Sequence, residues 1–93
     1  MLVMVKSDPR SAEGQQAVRL ATDLAADLVL LQNGVYFALP GRLGAFRGTP
    51  YVITDDLKLR GVKGSDLVSA AQEITYDALI DLMTATDNVI GAF

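Results

Sequence analysis

The sequence contains no cysteine and no histidine. Those two absences exclude more chemistry than any residue present suggests. No thiolate nucleophile, disulfide, zinc–thiolate site or imidazole base can form. Ser-His-Asp and Cys-His mechanisms are excluded with them. Basic residues are also few, eight against eleven acidic ones, for a net charge of −3 and a pI of about 4.6. Phosphate backbones are bound by clusters of Lys and Arg, and none occurs here, so direct nucleic-acid binding is not expected. No apolar run is long enough to span a bilayer. The opening MLVMV is too short for a signal-peptide core and has no basic segment before it. The expected location is the cytoplasm.

What is abundant is apolar. The hydrophobic share is 51% in only 93 residues, the length of one small domain. Two arrangements accommodate that excess: a sheet buried on both faces, and an oligomer interface that covers further surface.

The stretch Leu28–Phe37 organises the chain. Leu28-Val29-Leu30-Leu31 runs without a polar break and then meets Gln32-Asn33-Gly34. Such a run, bounded by turn residues, reads as a strand buried on both faces. Gly34 is expected to free the backbone for the turn. Gln32 and Asn33 then lie at the strand's carboxyl end, where open parallel sheets usually bind ligands. Tyr36 and Phe37 leave the sheet at the same edge, one ring available for the core and the other for a partner subunit.

Met1–Val5 reads as another buried strand. Asp8 or Ser11 can cap the helix that follows, and Glu13 suits its positive end. Ala17, Leu20, Ala21 and Leu24 recur at i, i+3, i+4 and i+7, which predicts a helix over 11–23 with that face inward. One helical turn is expected over 35–39, stopped at Pro40, then an irregular connection over 41–48 from which Phe46 packs back on the core. Tyr51-Val52-Ile53 is a third strand. Thr54 or Asp55 caps a short helix through Arg60, closed by Gly61. A helical turn is expected over 67–71 and a minimal strand at 73–74. Thr75 caps a helix over 76–84 with Tyr76, Leu79, Ile80 and Met83 on one face, and a last short strand follows at 88–91. This alternation predicts a three-layer α/β/α fold around a small, mostly parallel sheet of about five strands, in a single domain.

In a parallel sheet three strand ends converge: Lys6-Ser7, Gln32-Asn33-Gly34 and Thr54-Asp55-Asp56. They form either a polar pocket around Gln32, Asn33 and Asp55, or a set of caps and satisfied turns. Asp55 or Asp56 could serve as a base only with a raised pKa. A phosphoryl-accepting receiver is disfavoured, because Lys6-Ser7-Asp8 lacks the acidic pair such proteins need after the first strand. Gly41, Gly44 and Gly48 match the spacing of no phosphate-binding loop. No metal or cofactor site is expected.

Ordered blocks along the chain resemble the DsrH/TusB proteins. Leu30-Leu31-Gln32-Asn33-Gly34-Val35 parallels their LLLQDGV or LIQNGV block. Tyr51 to Leu57 with Arg60-Gly61 parallels VYALxxDLxARG, and Ile74 to Leu82 parallels ITYxxFVDL. Phe93 stands for the family's terminal aromatic. The resemblance implies a DsrE/DsrF/DsrH-like fold and a place in a sulfur relay that serves tRNA 2-thiouridine synthesis or sulfur oxidation. The carrier cysteine of the active subunits has no counterpart, so the implied role is structural or partner-binding. Implied partners are copies of itself or DsrE/DsrF (TusD/TusC)-like subunits. The matched positions are Gln32, Asn33, Gly34, Asp55, Asp56, Arg60 and Gly61, none of them with an implied catalytic role.

Overall fold

A computed structural model describes residues 1–93. Strand β2 (Asp27–Leu30) lies at the centre of the sheet, and Leu28, Val29 and Leu30 are all fully buried. The continuous apolar run is explained by that position: each alternate side chain meets a different layer. β1 (Leu2–Val5) pairs with it on one side and β3 (Pro50–Ile53) on the other. β4 (Gln72–Ile74) and β5 (Val89–Ile90) form the edges, in the order β4-β3-β2-β1-β5. Every pairing is parallel, so the sheet is wholly rather than mostly parallel.

One face packs under α1 (Ala12–Asp23), a 3₁₀ segment (Gln32–Ala38) and α2 (Thr54–Leu59). Its core joins Val3, Val5, Leu28, Leu30 and Val52 to Ala17, Ala21 and Phe37. The other face packs under α3 (Tyr76–Thr84) alone, through Leu2, Val29, Leu31, Ile53 and Leu79. Each fully buried Leu, Ile or Val contributes about 1.5–3 kcal/mol, so the central strands dominate the folding energy.

Local signals explain the helix starts. Ser11 caps α1, its hydroxyl accepting from the Gly14 amide at 3.0 Å, and Thr75 caps α3 by accepting from Ala78 at 3.1 Å. Phe46 packs against the core, as expected, and of the aromatic pair Phe37 is buried while Tyr36 is half-buried.

Several expectations need correction. Of the expected face of α1, Ala17 and Ala21 are buried, Leu20 is partly buried and Leu24 is not; Gly14 and Val18 complete the buried face. Small residues let the helix lie close on the sheet. Leu24 falls past the last turn, where Ala25 takes a left-handed φ of 52° to enter β2, and it is 42% exposed. On α3 only Leu79 is buried; Ile80 points outward because no second element packs beside the helix, and Tyr76 is 39% exposed although its hydroxyl reaches the carboxyl edge of the sheet. Thr54 is the first residue of α2 and caps nothing: its hydroxyl donates to the Ile74 carbonyl at 3.2 Å, tying α2 to the end of β4. A 3₁₀ turn at Gly64–Asp66 precedes the stretch expected to turn, Leu67 is extended, and a single turn closes over 68–71, where the Ala71 amide donates to the Val68 carbonyl at 3.1 Å.

Gly34 serves a different purpose from the one expected. The turn's left-handed residue is Gln32, at φ 50°. A Cβ on Gly34 would overlap the Val5 carbonyl oxygen at the end of β1, so glycine lets the 3₁₀ segment pass over that strand. Gly34→Ala forces a backbone shift between two core elements. We expect a loss of about 3 kcal/mol or more, out of the roughly 5–15 typical of a domain, measured by urea denaturation. A loss below about 1 kcal/mol would contradict the close approach.

Candidate functional site

The carboxyl ends of β2, β3 and β4 are tied together by one buried carboxylate. Asp56, in the first turn of α2, is 5% exposed. Its Oδ2 accepts the Gln32 amide at 2.8 Å and the Tyr76 hydroxyl at 2.7 Å. Arg60, one turn further along α2, lies 3.9 Å from Asp56 Oδ1. Its Nη1 donates to the Asp56 carbonyl at 3.2 Å and its Nε donates to Asn33 Oδ1 at 2.9 Å. The group therefore joins the turn after β2, helix α2 and the first residue of α3. The left-handed conformation of Gln32 costs about 1–2 kcal/mol for a residue with a Cβ. The charge-assisted bond to its amide offsets that cost.

These contacts involve four of the seven matched positions, Gln32, Asn33, Asp56 and Arg60. Gln32 and Asn33 have exposed side chains, but the Gln32 backbone and the Asn33 amide oxygen are both engaged. Asp56 and Arg60 face each other within the group. Asp55 is exposed and contributes no hydrogen bond. Gly61 follows α2 at φ 65° and is exposed. A general base needs a lone pair directed at its substrate; Asp56 Oδ2 already accepts two donors. No buried side-chain polar atom in the structure lacks a partner.

The cavities lie elsewhere. Gln32, Asn33, Asp55 and Asp56 line none of them. The largest, about 850 Å³, opens at the carboxyl end of β1, with Tyr36, Phe37 and Leu39 for a floor and Arg10 and Arg42 at its rim. Asp8 also lines it. The Arg10 amide and guanidinium both donate to the Asp8 carboxylate, at 2.6 and 3.3 Å, and hold it below the usual carboxylate range. The structure thus separates the sequence-derived candidates: Gln32, Asn33, Asp56 and Arg60 lie in the tied group, Tyr36 and Phe37 in the groove, Gly34 at the crossing over β1, and the exposed Asp55 in neither. No cluster of acidic side chains is arranged to hold a metal ion.

Sequence reasoning missed Tyr76 as a polar partner and Arg42 as a groove residue. A tyrosine directly after a helix cap was the available signal for the first, since its hydroxyl can reach back across the strand ends. Arg42 sits among glycines with no period and gave no signal.

A family model described as DsrH like protein matches residues 6–89. The chain belongs to the DsrH-like family. Among solved structures, the solution NMR structure of protein Tm0979 from Thermotoga maritima is similar, with a TM-score of 0.68 and 29% sequence identity. The match covers 98% of this chain and 100% of that one. A comparison with curated proteins finds no match. This DsrH-like chain carries no cysteine, and its five-stranded α/β/α architecture matches that neighbour. Family membership supports a subunit role of the sulfur-relay kind.

The hydrogen bond to Asp56, with burial second, pushes the Tyr76 hydroxyl pKa up to about 12. The folded state thus retains a proton that the unfolded chain loses near pH 10. This contribution is complete below pH 10 and disappears as the pH rises through about 12. The melting temperature should fall across that window in the wild type and fall less in Tyr76→Phe. Equal slopes would show that the hydroxyl is not bonded to the carboxylate. Near neutral pH, Asp56→Asn should cost about 2–4 kcal/mol and Tyr76→Phe about 1 kcal/mol by chemical denaturation.

Proposed function

We propose that this chain is a non-catalytic subunit, a single DsrH/TusB-like domain that acts by assembling with itself or with DsrE/DsrF (TusD/TusC)-like subunits of a sulfur relay. The relay would serve tRNA 2-thiouridine synthesis or sulfur oxidation. One observation carries the reading: of the polar residues that match the family's motifs, Gln32 through its backbone, Asn33, Asp56 and Arg60 are engaged with one another, in a chain without a thiol or an imidazole. Persulfide sulfur needs a cysteine carrier, so that step belongs to a partner. The motif holds the edge of the sheet in shape, and the surface does the work. No helix is long and apolar enough to cross a membrane, and a cytoplasmic site of action fits the reading.

A second reading has its own support. The 850 Å³ groove with an aromatic floor and two arginines has the form of a small-molecule site. A ligand selective for the folded state must raise the melting temperature in a screen of anionic metabolites.

The deciding experiment is affinity capture of the tagged protein from its native cells, followed by native mass of the eluted species. Co-elution with cysteine-bearing DsrE- or DsrF-like subunits is expected. Elution without them under conditions that preserve complexes would overturn the relay role.

A further inference from the structure

The strand order reverses at β1. The chain steps from β1 through β2 and β3 to β4 in one direction, and β5 then pairs on the other side of β1. In open parallel sheets, ligands sit beyond the carboxyl ends of the strands at such a reversal. The group tied by Asp56 joins the turn after β2 to α2 and α3, away from that point. The cavity of about 850 Å³ lies at it, lined by Asp8, Pro9 and Arg10 from the connection that follows β1.

That cavity has two kinds of surface. The 3₁₀ segment supplies Tyr36 and Phe37, which with Leu39 make an apolar floor. Phe37 is buried, whereas Tyr36 is half-buried and keeps part of its ring open to a ligand. Charge borders the floor. Arg42 lines this cavity and a second one of about 420 Å³, which Arg19 also lines; the two cavities share Gln15, Phe37 and Arg42. Three of the five arginines therefore border one continuous groove, in a chain whose net charge is −3. Two carboxylates share it: Asp8, paired with Arg10 at 3.3 Å, and Asp23 in the second cavity. Arg19 and Arg42 make no ion pair within the chain. Three arginines against two aspartates leave a surplus of one positive charge, and Arg42 stands where the cavities meet.

We propose that this groove binds a planar organic anion, an aromatic ring system that carries one carboxylate, sulfonate or comparable group. The ring lies on Tyr36 over the apolar floor, and the anionic group meets Arg42 at the junction, with Arg19 beyond it. A guanidinium presents a planar fork of donors that matches such a group. A small inorganic anion would leave the apolar floor uncovered. A polyphosphate would bring more charge than a surplus of one can meet, and a neutral ring would forgo the ion pair. The inference rests on the small-molecule reading of the groove given above and names the class of ligand; it is independent of the relay reading.

The test is calorimetric titration of the full chain with three probes: anilinonaphthalene sulfonate, its neutral analogue phenylnaphthylamine, and succinate, an anion without a ring. Amide NMR locates the bound probe. The sulfonate should occupy one site per chain and move the signals of Tyr36, Phe37 and Arg42, not that of Ile80 on the opposite face. Arg42→Ala, at an exposed position, should weaken the sulfonate about tenfold and leave the neutral amine within about twofold. Tyr36→Ala should weaken both rings. Arg47→Ala, also exposed but lining neither cavity, should change nothing. Equal affinity for the neutral amine, equal losses in Arg42→Ala and Arg47→Ala, or signals that move on α3 instead would overturn the proposal. Succinate binding in the groove as tightly as the sulfonate would overturn the need for a ring and leave the small-molecule reading standing. No binding of any probe at about 1 mM would overturn both.

Discussion

The carboxylate of Asp56 holds the carboxyl edge of this sheet together. An ionised group so deeply buried is costly to desolvate and persists only when its lone pairs are used. Here one oxygen accepts an amide and a hydroxyl, and a guanidinium lies near the other. The partners come from three separate stretches, around residues 32, 60 and 76, so the charge is stable only in the folded chain. In return it fixes the left-handed turn at Gln32, from which the 3₁₀ segment crosses the end of β1. The close pass at Gly34 completes that crossing, and Tyr36 and Phe37 reach their places in the groove through it.

This arrangement gives the DsrH-like motif a physical meaning. Polar residues gathered at the carboxyl end of a parallel sheet usually suggest a ligand site. In this chain Asn33 binds Arg60, the Gln32 amide binds Asp56, and Tyr76 binds the same carboxylate. Those groups are engaged with one another within the chain. Without cysteine or histidine, thiol and imidazole chemistry is absent, and exposed apolar area and charge lie outside this group. Those are unevenly distributed: one face of the sheet is covered by three elements, the other by a single acidic helix.

The strands and their parallel order were legible because the signal was strong. Four consecutive apolar residues at 28–31 can be satisfied only by burial on both sides, Thr75 is a clear cap, and of the two residues the sequence offers for α1, Asp8 or Ser11, it is Ser11 that caps. Helix faces were less legible. On α1, alanine and glycine pack as well as leucine does when the helix lies close, so periodicity alone placed Leu24 inward. On α3, the i, i+3, i+4, i+7 pattern was real, but half of it faces away from the sheet because the surface it would fill belongs to no other element. Gly34 was read as a turn glycine, since a steric need created by a strand about thirty residues earlier leaves no local mark. The Asp56–Tyr76 contact was hidden for the same reason: it links positions twenty residues apart.

The most direct test of the account is amide hydrogen exchange at Gln32, followed by NMR. Its side chain is exposed and lies in a turn, so nothing but the bond to Asp56 would slow its amide. The account predicts protection comparable to the β2 amides, lost in Asp56→Asn while the β1 and β2 ladders stay protected relative to the loops. A Gln32 amide that exchanges in the wild type as fast as those of the exposed 41–48 connection would contradict it.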